Sequence, residues 1–116
     1  MNNFRELIVW QKSINFVVKI YEITHDFPKE EKFNLVTQMQ RAATSMPSNI
    51  AEGAGRNTNV SFKHFLTIAI GSAHELETQI IISKQLGYIY EENFGMLISE
   101  LSGIQKMLYS LHNSLQ

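Results

Sequence analysis

Phe94, Leu97, Leu101, Ile104, Leu108, Leu111 and Leu115 follow one another at steps of 3, 4, 3, 4, 3 and 4 residues. Three unbroken heptads line these side chains along one stripe of an α-helix, and a stripe of that kind has to be buried against other helices. The rest of the chain supplies the partners. Leu7, Trp10, Ile14, Val17 and Tyr21 recur by threes and fours in a first helix from about Phe4 to Thr24, with Phe16, Ile20 and Ile23 as a second apolar edge. His25-Asp26-Phe27-Pro28 closes that helix, because the residue before a proline disfavours the α region.

A second helix is expected from Pro28, which suits a first turn, with Glu30 and Glu31 near the positive end of the dipole. Its apolar face reads Phe33, Leu35, Met39, Ala42, Met46 and Ile50. Pro47 falls inside this pattern and removes one backbone hydrogen bond. The apolar period continues across it, so a kink is expected rather than a break. Gly53 and Gly55 are read as the stop. Thr58 or Asn57 then caps a third helix carrying Phe62, Leu66, Ala69, Ala73, Leu76 and Ile80, which ends at Leu86-Gly87-Tyr88 with Gly87 as a left-handed cap. The fourth helix starts near Glu91. No run alternates convincingly between polar and apolar, so no strand is expected. The expected fold is all-α, one domain over residues 1–116: an antiparallel up-down-up-down four-helix bundle with helix 2 kinked near Pro47.

The chain has no cysteine, which excludes disulfides, thiolate metal sites and cysteine nucleophiles. Met1-Asn2-Asn3-Phe4-Arg5-Glu6 does not read as a signal peptide. No uncharged apolar stretch reaches the ~18 residues of a membrane span. A cytoplasmic protein without a membrane partner is the expectation. Net charge is −1, but its distribution is uneven. Residues 32–63 hold Lys32, Arg41, Arg56 and Lys63 against Glu52 alone, whereas residues 64–116 hold two basic and five acidic side chains.

A bundle of this class can house a di-metal carboxylate site, which needs two Glu-x-x-His motifs and two further glutamates. Glu22-Ile-Thr-His25 is one such motif, but Ser61, Gly71 and Tyr109 stand three residues before His64, His74 and His112. His74-Glu75 begins a zinc-protease pattern that Thr78 interrupts. Ala51–Gly55 lacks the Lys-Ser/Thr of a phosphate loop, and the only aspartate, Asp26, sits at a helix end where no Ser-His-Asp triad is arranged. The expectation is a protein that is not an enzyme, with no cofactor and no metal.

Two polar stripes remain. Arg41, Ser45, Ser48, Asn49, Glu52 and Arg56 recur at helical spacing around Pro47 and Gly53. Ser72, Glu75 and Gln79 do the same on the third helix and can face the first stripe across a helix pair. The stripes read either as a ligand cleft or subunit contact, or as a polar network holding helices 2 and 3 in register. Lys32, Arg41, Arg56 and Lys63 are the candidates for phosphate, with Arg56 and Lys63 flanking one loop. A ring of subunits would repeat so small a patch around its axis.

Phe4-Arg-Glu-Leu, Val9-Trp-Gln-Lys, Phe27-Pro-Lys-Glu-Glu, Arg41-Ala-Ala-Thr-Ser-Met-Pro-Ser-Asn-Ile-Ala-Glu-Gly, Gly71-Ser-Ala-His-Glu-Leu-Glu-Thr-Gln and Leu86-Gly-Tyr resemble the four helix bundle family, also called the 23S ribosomal RNA intervening-sequence protein family. The resemblance spans nearly the whole chain. It implies a four-helix bundle assembled as a ring-shaped homopentamer, with no enzymatic activity attached. A related protein is the accessory factor of diversity-generating retroelements, which binds nucleic acid and its reverse transcriptase through a basic surface. That factor is strongly basic, whereas this chain is slightly acidic. The resemblance assigns Asn49, Glu52, Ser72 and Glu75 to the contact between helices 2 and 3 or between subunits, alongside Ser45, Gly53 and Gln79, and leaves Arg41, Arg56 and Lys63 as the better phosphate contacts. The function expected is an oligomeric, non-enzymatic module that binds RNA or DNA; the alternative is a protein-interaction scaffold without nucleic acid.

Overall fold

The computed structural model describes residues 3–115. The described residues form four α-helices: α1 (Ile8–Thr24), α2 (Leu35–Ala54), α3 (Asn59–Gln85) and α4 (Glu91–Ser114). No strand occurs among the described residues. Each helix packs on two others. α1 lies against α2 and α4, and α3 lies against the same two, with α2–α3 the most extensive contact and α1–α4 the sparsest. The contacts between α2 and α3 run in opposite senses: Met39 meets Ser83, Ser45 meets Ser72, and Gly53 meets Phe62. The molecule measures 43 × 25 × 20 Å.

The heptad stripe of α4 is the core it was expected to be. Leu97, Leu101, Ile104 and Leu108 are fully buried, and Phe94, Leu111 and Leu115 pack at its ends. On α3 all six expected apolar residues are buried. Thr58 caps that helix by accepting a 3.1 Å hydrogen bond from the Ser61 amide. At the other end Gly87 has φ +82°, with Tyr88 N donating to Ser83 O and Gly87 N to Lys84 O, both at 2.9 Å. These two bonds are the Schellman closure that a left-handed glycine permits.

α1 differs from expectation in its start and its face. Leu7 is extended, so the chain makes a separate 3-10 turn at Phe4–Glu6 and the α-helix begins at Ile8. The fully buried face is Val9, Ser13, Phe16, Ile20 and Thr24, while Leu7, Trp10 and Val17 of the expected stripe pack half-buried against the core and Tyr21 is exposed. Two hydroxyl residues complete that face. Ser13 Oγ donates to Val9 O at 2.8 Å and Thr24 Oγ1 to Ile20 O at 2.7 Å, so both are buried with their hydrogen-bonding satisfied by their own helix. A count of apolar residues alone passes over such positions.

α2 begins later than expected. Lys29–Glu31 forms a 3-10 turn after Pro28, and the α-helix starts only at Leu35. Phe33 therefore lies outside the helix and is 87% exposed rather than part of its apolar face. α2 then continues through Pro47 to Ala54. Gly53 does not stop it. It is an interior residue of the helix, and Gly55 ends the helix at φ −82° without using any left-handed freedom. Tyr88 fastens the two corners of the bundle together: its ring packs 5.3 Å from that of Phe27, and its hydroxyl donates to Glu31 Oε2 at 3.0 Å.

Candidate functional site: the groove between α2 and α3

Small residues bring α2 and α3 close. Ala42 and Ala43 on α2 and Ala69 and Ala73 on α3 are buried. A Cβ on Gly53 would lie 2.9 Å from Phe65 Cβ, so a side chain there would hold the helices apart. Beside this seam the two polar stripes meet. Ser72 Oγ, nine-tenths buried, donates to Ser45 Oγ at 2.8 Å. Asn49 Nδ2 donates to Ser45 O at 2.8 Å and to Ser45 Oγ at 2.9 Å. Further along α3, Gln79 Nε2 donates to Glu75 Oε2 at 3.3 Å. Gln79 Oε1 is buried and has no hydrogen-bond partner among the described residues.

Above the serine pair the surface opens into a groove of about 360 Å³ lined by Gln38, Arg41, Ala42, Ser45, Ser72 and Glu75. Arg41 and Glu75 both line it, one from each helix, without forming an ion pair. Of the expected polar set, the structure thus unites Ser45, Asn49 and Ser72 in one network and Glu75 and Gln79 in a second. Glu52 belongs to neither. It accepts from Arg56 Nη2 at 2.7 Å, one helical turn on. Gln38, which precedes Arg41 in the motif that carries the family resemblance, joins the groove without having been a site candidate; it lies three residues before Arg41 and so on the same face.

The four cations proposed for phosphate do not form one patch. Arg56 is engaged twice, by Glu52 and by the Phe65 ring, whose centroid lies 4.8 Å from its guanidinium carbon. Lys63 lies across the same loop, half-buried and without a carboxylate partner among the described residues. Arg41 is roughly 20 Å further back along α2 at 1.5 Å rise per residue. Lys32 lies beyond the N-terminal end of that helix. No three His, Asp or Glu side chains gather as a metal site among the described residues. None of the described helices is long and apolar enough to cross a membrane.

A bundle of four helices with a neutral polar groove on its α2–α3 face defines a helical module. The chain belongs to the 23S rRNA-intervening sequence protein family, whose model matches residues 5–110. It is similar to a crystal structure of a protein of unknown function from the S23 ribosomal protein family of Bacteroides thetaiotaomicron, with 28% identity, a TM-score of 0.85, and coverage of 91% of this chain and 96% of that one. No protein of curated function matches in sequence.

Proposed function

We propose that this chain is a non-enzymatic, cytoplasmic subunit of a homo-oligomer, five copies by family resemblance, that binds RNA or DNA through basic side chains repeated around the assembly. The observation that carries the reading is that Lys32, Arg41 and Lys63 have no carboxylate partner among the described residues. Such cations are free to displace counterions from a phosphate backbone. The α2–α3 face supports the oligomer: Ile68 and Ile82 are exposed on the stripe of α3 that carries Ser72, Glu75 and Gln79, a surface suited to a second copy.

The test is salt-dependent binding of a mixed RNA and DNA pool to wild type and to Arg56→Glu, Lys63→Glu and the double variant. Binding should weaken with salt, and Lys63→Glu should cost more than Arg56→Glu, because Glu52 already neutralises Arg56. Affinity unchanged in the double variant would remove this loop from the proposal. A second reading, a protein-interaction scaffold without nucleic acid, draws on that same Arg56–Glu52 pair. It expects a co-purifying protein and no nucleic-acid binding at moderate salt.

A further inference from the structure

The most exposed aromatic residue among those described stands beside a hollow lined by two further aromatic rings. Phe33 is 87% exposed, on the turn between the 3-10 segment and α2. The α1–α2 corner holds a hollow of about 560 Å³, with Phe27 and Tyr21 lining it beside Phe33. Phe27 is buried by the Tyr88 ring behind it, whereas Tyr21 is half exposed. Lys29 and Lys32 are the full cations of this lining, and no carboxylate belongs to it. The acids of the same turn are directed or placed elsewhere. Glu31 accepts from Tyr88, Asp26 lies 3.4 Å from His25, and Glu30 does not line the hollow. Neither lysine has a carboxylate partner among the described residues, and the Lys32 ammonium sits 5.4 Å from the Phe33 ring centroid.

A singly exposed apolar side chain is ordinary, and what singles out Phe33 is the company it keeps. Here the ring shares the lining of the hollow with Phe27, Val36 and two ammonium groups that have no carboxylate partner among the described residues, the Lys32 ammonium lying nearest to it. That combination fits a ligand with an aromatic body and an anionic edge. Gln40 adds a directional group: its Nε2 donates to Thr24 Oγ1 at 3.3 Å, which leaves its carbonyl oxygen and second N–H for another partner. We infer that the α1–α2 corner is a nucleotide site for single-stranded nucleic acid, with Phe33 stacking on a base, Lys29 and Lys32 meeting the flanking phosphates, and Gln40 reaching the base edge. Stacking of this kind tolerates any base, because every base has a π face. The inference rests on the nucleic-acid reading above, and it locates the contact at the end of the bundle away from Arg56 and Lys63.

The experiment measures binding of labelled oligouridylate and oligodeoxythymidylate to the full chain by fluorescence anisotropy, across a salt series. Phe33→Ala should weaken both by about tenfold, the loss of one stacked base, with the salt slope unchanged. Lys29→Gln with Lys32→Gln should instead flatten the slope by about 1.4, two phosphate contacts on a single strand. All three positions are exposed, so the variants should keep the wild-type helical signal. Wild-type affinity in both variants, with loss only in Arg56→Glu/Lys63→Glu, would overturn this site and leave the proposed function standing. No binding by wild type at any salt would overturn both. A change of solution mass in Phe33→Ala with oligonucleotide affinity intact would assign the ring to a second copy of the chain and also overturn the inference.

Discussion

A Cβ placed on Gly53 would lie 2.8 Å from Cδ1 of Phe62. It would also lie 2.9 Å from Phe65 Cβ and 3.2 Å from Phe62 O, so rigid atoms of α3 would have to move. The glycine therefore sets how closely α2 approaches α3 at the end of the polar seam. In an exposed helix Gly→Ala is stabilising, but here the strain of overpacking, about 1–3 kcal/mol, outweighs that gain. Gly53→Ala should lower stability by about 1–2 kcal/mol in urea unfolding. Gly95→Ala on α4, where nothing lies within 4 Å of an added Cβ, should raise it by roughly 0.5–1 kcal/mol. Equal effects from both would refute the close-approach role.

The serine pair makes a separate prediction. Ser72 is nine-tenths buried, and its hydroxyl donates across the helices to Ser45. Ser72→Ala should cost about 1 kcal/mol, the net worth of one such bond. A double-mutant cycle with Ser45→Ala should return a coupling of about 0.5–1 kcal/mol. Additive losses would mean that the two hydroxyls act independently and that the register of α2 on α3 is set by apolar packing alone.

Tyr88 links the stability of the fold to alkaline pH. Its hydrogen bond to Glu31, then burial, then the nearby charges of Glu31 and Glu30 raise its pKa above the ordinary 10.0. The folded state thus holds the phenolic proton more tightly than the unfolded chain does. That contribution is complete below about 10 and is lost as the pH rises through the folded-state value. Tyr88→Phe should abolish this alkaline loss. Urea midpoints followed from neutral to strongly alkaline pH would show it, and identical pH profiles for the two proteins would contradict the linkage.

The bundle was legible wherever burial and apolarity coincide. α4 and α3 follow their heptads, and the caps at Thr58 and Gly87 obey local backbone rules that need no tertiary context. α1 was read one edge away from its buried face because Ser13 and Thr24 satisfy their hydroxyls within the helix. Phe33 was placed in the core because Pro28 and two glutamates announce a helix start. The chain instead makes one 3-10 turn and delays the α-helix to Leu35. In the site, Ser45, Asn49 and Ser72 were legible as a pair of facing stripes. The Arg56–Glu52 pair follows from a spacing of four residues, whereas the contact of Arg56 with the Phe65 ring was not legible, since it depends on how closely the α2–α3 loop folds back.

The central claim is that the protein works as an oligomer that carries single-stranded or mixed nucleic acid on its basic side chains. Solution mass by light scattering, with and without an RNA and DNA pool, at low and moderate salt, tests it most directly. The account predicts a mass several times that of one 13.3 kDa chain, with nucleic-acid mass added at low salt and released as salt rises. A monomer that gains no mass with nucleic acid at either salt would contradict it.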